Sequence, residues 1–164
     1  MKKLLIALAL TGFLFSYQAQ GQAYENAVGL RASWGFGGTF KHFLNETGAI
    51  EGILNYRNFG VLSINWSYVQ ITGIYQVHND LSQVFDGLQW YYGGGGFVGF
   101  WGGDFNNRID GDQTYIGIVG NIGLDYAFPD IPLNLSVDWI PSISLAGGGG
   151  FLGEAGGLAI RYYF

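Results

Sequence analysis

The side chains best equipped for proton transfer here are two histidines, His42 and His78, in a chain without cysteine. A histidine that shares a site with serine and a carboxylate can activate a nucleophile or a water. No serine stands at a spacing that seats it beside either histidine within one pair of strands. His42 shares a face with Phe40 and Leu44, and His78 opens a polar turn beside Asp80. Asp104, Asn106, Asp110 and Asp112 put several oxygen ligands in one segment, but the Gly and Glu positions of a calcium loop are missing. It reads as a solvated loop. Gly94-x-Gly96-x-x-Gly99 and Gly148-x-Gly150-x-x-Gly153 satisfy the dinucleotide fingerprint, yet neither opens a helix within a βαβ unit. No catalytic residue, metal or cofactor is expected.

The charges that remain have a different meaning. Arg31, Lys41, Glu51, Arg57, Asp125, Asp138 and Arg161 each fall on the polar phase of a segment that alternates with apolar residues. Period-2 alternation describes a strand with one apolar and one polar face. The elements that must position these charges are therefore strands.

Val28, Leu30, Ala32 and Trp34 alternate with Gly29, Arg31 and Ser33 as a first strand. After a turn at Gly35-Phe36-Gly37-Gly38, Thr39, Lys41 and Phe43 alternate with Phe40, His42 and Leu44. Asn45-Glu46-Thr47-Gly48 has turn chemistry. A third strand sets Ile50, Gly52, Leu54 and Tyr56 against Glu51, Asn55 and Arg57, with a reversal expected at 57–60. Residues 61–77 change phase near Tyr68 to Gln70, which suggests a bulge or an extension of the hairpin. A polar connection covers 78–87, a fifth strand carries Leu88 to Phe100, and a polar loop spans 102–113. The sixth strand (Thr114 to Tyr126) alternates most cleanly, and Phe128-Pro129-Asp130-Ile131-Pro132 turns the chain into the seventh. That strand opposes Leu133, Leu135, Val137 and Trp139 to Asn134, Ser136 and Asp138, before a Gly-rich loop at 146–153.

Composition selects what such strands build. Charged residues make up 12% of the chain, half the usual ~25%, while 18% are aromatic and 29 of 164 are Gly. Met1-Lys2-Lys3, the apolar run Leu4 to Phe15 and small residues up to Gly21 describe a cleavable signal peptide, 1–21, with Ala23 as the alternative cut. Its apolar run is short of the roughly 20 residues of a membrane helix. Cleavage leaves five basic and twelve acidic residues, a net charge of −7, which argues against nucleic acid as a partner. Residues 22–164 fit one all-β domain: an eight-stranded antiparallel up-and-down transmembrane β-barrel with lipid-facing side chains at every second position. Its interior is just wide enough for side chains to fill. The seven inward charges must then pair, as a plug of salt bridges or, because inward Gly93, Gly95, Gly99, Gly117 and Gly123 free volume, around a narrow ion path. Arg31 and Arg161 lie on the first and last strands and need Glu51, Asp125 or Asp138 within reach.

The chain closes on Leu158, Ile160, Tyr162 and Phe164, alternating with Arg161 and ending on the aromatic. This resembles the C-terminal insertion signal of Gram-negative outer-membrane barrels. Gly29-Leu30-Arg31, Thr39-Phe40-Lys41-His42-Phe43, Glu51-Gly52-Ile53-Leu54, Trp90-Tyr91-Tyr92-Gly93, Pro132 to Trp139 and Arg161-Tyr162-Tyr163-Phe164 are similar to OmpA-like and OmpX-like small barrels and to a broad group of outer membrane β-barrel proteins. The resemblance implies the cell outer membrane, contact with its lipid and lipopolysaccharide, insertion by the β-barrel assembly machinery, and a monomer. It carries no known reaction. A structural or surface-interaction barrel is therefore expected, with a narrow channel and a lipid-A-modifying enzyme as alternatives.

Overall fold

The structure is a computed structural model that describes residues 24–61, 64–103, 114–147, 150–152 and 156–164. The segment read as a signal peptide, the acidic loop from Asp104 to Asp112, and Gly148 and Gly153 lie outside them. The strands are β1 (Asn26–Ala32), β2 (Phe36–Phe43), β3 (Gly48–Val61), β4 (Ile64–Asp80), β5 (Leu88–Gly103), β6 (Thr114–Ala127), β7 (Leu133–Trp139), β8 (Ser142–Ala146), β9 (Phe151–Leu152) and β10 (Gly156–Tyr163).

All pairings are antiparallel, in the order β5-β4-β3-β2-β1-β10-β7-β6, and β5 pairs with β6 to close the ring. β8 continues along β6 where β7 stops, and β9 pairs with β8 as β10 pairs with β7. Each of those two couples is one barrel strand in two pieces. The result is a closed eight-stranded barrel. Residues 27–44 make two strands rather than one, paired from Asn26↔His42 to Ala32↔Phe36.

Two expectations about reversals are corrected. Arg57 to Gly60 do not turn. β3 runs on to Val61 and pairs with β4 continuously from Gly48↔Val77 to Val61↔Ile64. Strand four is the extension of the hairpin and has no bulge or phase change: its pairing with β3 is unbroken, and Thr72, Ile74, Gln76 and His78 are all buried on one phase. The apparent slip arose because inward Ile74 and outward Ile71 are both apolar, so hydrophobicity alternates in neither phase there. The register shift falls instead between β6 and β8, at Ile116/Gly117. Before it, Pro141 interrupts the ladder, as a residue without an N–H must, while its carbonyl still accepts from the Gly120 N–H at 2.9 Å.

Both described chain ends lie at one mouth, where Asn26 and Phe164 exchange backbone hydrogen bonds at 3.0 and 2.8 Å. The 44–47, 81–87 and 128–132 turns lie at this terminal mouth. In the first, Asn45 Oδ1 accepts from the Thr47 and Gly48 N–H groups at 3.1 and 2.7 Å, a side-chain turn that asparagine favours. Outward positions remain apolar and exposed: Leu30, Leu54, Ile71, Ile118, Val137 and Ile160 among them. Inward positions hold nearly every buried residue. That inside-out distribution is what a barrel in lipid requires.

Candidate functional site: the barrel lumen

Three layers fill the interior. At the terminal mouth Tyr24, just before β1, stacks on Tyr163 with ring centres 5.1 Å apart and meets Phe43 edge-on at 5.2 Å. Ala27, Ala49 and Ala127 complete this stopper. Toward the other mouth Ile53, Ile74, Phe97, Val119 and Ile140 pack together with Tyr115 against them. Between the two lies a layer made almost wholly of polar and charged groups.

Six of the seven charges expected to face the lumen meet in that layer. Arg31 is paired with Asp138 through its two terminal guanidinium nitrogens. Lys41 Nζ donates to Asp125 at 2.7 Å and stands 3.9 Å from Glu51. Arg161 is paired with Glu51, and also donates to Asn134 and Ser136 at 3.0 and 2.8 Å. Three cations thus face three carboxylates, all six side chains nearly or fully excluded from solvent. The Lys41–Glu51 contact spans the paired strands β2 and β3, whereas the three closer ion pairs each join strands that are not neighbours in the sheet. Proximity in sequence could not have produced them, since the partners lie 107, 84 and 110 residues apart.

Arg57 is the exception, and the expectation that it joins this network is corrected. β2 ends its pairing with β3 at Phe36↔Tyr56, one residue before Arg57. The guanidinium reaches the rim and lies 4.3 Å from the centre of the Trp34 ring. A hollow of about 470 Å³ sits there, lined by Trp34, Phe36, Tyr56 and Arg57. Phase alone pointed Arg57 inward; the height of the strand in the wall put it beyond the network.

Several members were not anticipated. Gln76 donates to Glu51 at 2.7 Å and to Asn121 at 2.8 Å, bridging the charge layer to β6. Tyr91 donates to Asp138 at 2.7 Å, and the Lys41 ammonium sits 4.5 Å from its ring centre. The Tyr24 hydroxyl lies 3.3 Å from both Asp125 oxygens, tying the stopper to the charges. His78, expected in a polar turn, is instead 1% exposed inside the barrel. Its ring stacks on Tyr91 at 4.9 Å and its nitrogens face Gln89 and Gln76 at 3.0 and 3.4 Å. His42 lies near the terminal mouth, its Nδ1 2.9 Å from Asn26 Oδ1. The missed signal was parity: Gln76, His78, Gln89 and Tyr91 share the inward phase of their strands, but neutral polar residues do not stand out as charges do.

The arrangement holds charges rigidly and neutralises them. Breaking such a buried pair is costly, because the partner left behind is an uncompensated ion. Among the described residues no group of three or more metal-ligating side chains gathers.

No protein-family model and no curated protein sequence matches the chain. Among solved structures, the N-terminal β-barrel domain of Pseudomonas aeruginosa OprF is similar at TM-score 0.55 and 18% identity, over 88% of this chain and 100% of that one. The fold is that of the small eight-stranded outer-membrane β-barrels. Ail, the attachment invasion locus protein of Yersinia pestis, gives a TM-score of 0.49 at 12% identity over 85% of this chain and 96% of that one.

Proposed function

We propose that this protein is an integral outer-membrane barrel of structural or surface-interaction type, closed to ions and without catalysis. The observation that carries the reading is the filled lumen: an aromatic stopper, a neutralised charge layer and an apolar layer in series. Ions crossing it would have to displace groups that bond each other across the whole interior. The exposed apolar outer face supports residence in lipid, and the terminal Leu158, Ile160, Tyr162 and Phe164 fit insertion by the barrel-assembly machinery. Lipopolysaccharide and outer-membrane lipid are then its surroundings, and a monomer suffices, since the ring closes within one chain. Acyl-transfer chemistry on lipid A needs an accessible histidine with a nucleophile, whereas His78 is buried against Tyr91 and two glutamines.

Conductance of the purified protein in a planar bilayer tests this, with Glu51→Gln as the internal-charge control. The expected record is flat for the native protein. Steady single-channel steps that change with Glu51→Gln would replace the closed barrel with a narrow channel. Fractionation with outer membranes and faster gel migration before boiling are expected as well; a soluble pool without a heat shift would end the membrane reading.

A further inference from the structure

The ring closes where β1 pairs with β10, from Ala27↔Tyr163 to Ala32↔Leu158. All three buried cations stand on this seam and its immediate neighbour: Arg31 on β1, Lys41 on β2 and Arg161 on β10. The three buried carboxylates stand on the strands flanking them, Glu51 on β3, Asp138 on β7 and Asp125 on β6. β4 and β5 contribute only neutral groups to the described layer. Around the wall the order is therefore acid, three adjacent cationic strands, then two acids.

The cations also form a ladder along one line. Lys41 is opposite Ala27, Arg161 is opposite Gly29, and Arg31 follows. These are consecutive inward positions of β1, roughly 6.6 Å apart at two residues each. Small residues on the seam make room for the long side chains. A Cβ at Gly29 would strike the Ile160 carbonyl, and one at Gly157 would strike the Arg31 guanidinium. Bringing β10 beside β1 thus brings Arg161 between two like charges, in a space about to lose its water.

We propose that the lumenal ion pairs are a closure lock: Arg31–Asp138, Lys41–Asp125 and Arg161–Glu51 all cross the seam, so it zips only as the carboxylates of β3, β6 and β7 meet the cations from its other side. Electrostatics then times the last step of barrel formation and selects its register. A slip of one residue between β1 and β10 would move the seam arginine of the displaced strand from the lumen to the lipid face. The lock concerns formation of the barrel and goes beyond any role proposed for the finished one.

The chain has no cysteine, so Leu30→Cys with Ile160→Cys, directly opposite and outward, reports the closed seam through a short bismaleimide crosslink. The mature protein carrying this pair is refolded from urea into phosphatidylcholine vesicles and sampled over time. With Glu51→Gln, Asp125→Asn and Asp138→Asn together, crosslinking is expected at least about tenfold slower, and faster again in 1 M salt, which shortens screening to about 3 Å. Adding Arg31→Met, Lys41→Met and Arg161→Met is expected to return it to within about threefold of the parent, because the repulsion is gone. Closure of the acid-neutral variant at the parental rate overturns the lock. So does a fully neutral variant that stays as slow. Should the acid-neutral variant not insert, the exchanged pair Arg31→Asp with Asp138→Arg decides: it keeps the bond but dilutes the ladder, and must close faster than the parent.

Discussion

The charge layer and the apolar layer occupy the same lumen, on the inward face of one wall, and are held by opposite means. Ile53, Ile74, Phe97, Val119 and Ile140 fill space. Each has several neighbours, and none depends on one partner. Glu51, by contrast, is committed to Arg161, Gln76 and Thr39, with Lys41 close by. Packing in the first layer is nondirectional and tolerates exchange of shape at constant volume. Bonding in the second is directional, so loss of one group strands another in a medium that cannot solvate it.

The difference is broken open most sharply at Glu51. Glu51→Leu leaves Arg161 and Lys41 without their shared carboxylate and is expected to cost about 3–5 kcal/mol, read from urea unfolding in vesicles. Pairing it with Arg161→Met should recover part of that loss, since a missing pair is milder than a broken one. A double variant worse than the single would show that the partners contribute independently.

In the apolar layer Ile74→Ala is expected to cost about 2–4 kcal/mol by leaving a cavity, while Ile74→Leu costs under about 1.5 kcal/mol. Neither change should alter the pH dependence of unfolding. A shift in that dependence on Ile74→Ala would mean that the two layers are coupled.

The smallest effect is expected outside the lumen. Asn45→Ala removes the acceptor of two backbone N–H groups in an exposed turn, for about 1 kcal/mol, with no effect on heat-modifiable migration. A loss as large as that at Glu51 would place the stability of the barrel in its turns.

Alternation along β6, β7 and β10 made the barrel legible in the sequence, because a lipid face and a lumen face impose opposite chemistry on successive residues. It failed where the lumen itself is apolar. Around Ile74 both faces carry aliphatic side chains, so strand four looked broken although its register is continuous. The reversal placed at Arg57 to Gly60 erred for a related reason: Asn and Gly are turn residues by propensity, and a β4 partner overrode it.

By itself the sequence determined the class of structure, the even strand count, the phase of every strand but the fourth and which charges point inward. All of these follow from local periodicity and composition. Only the tertiary structure decided who pairs with whom, that Arg57 stops at the rim with Trp34, and that His78 is a core residue. Those outcomes depend on how strands stagger around a closed ring. Phase fixes which side of the wall a residue faces. Its height in the wall, and the strand across the lumen from it, exist only once the ring is closed.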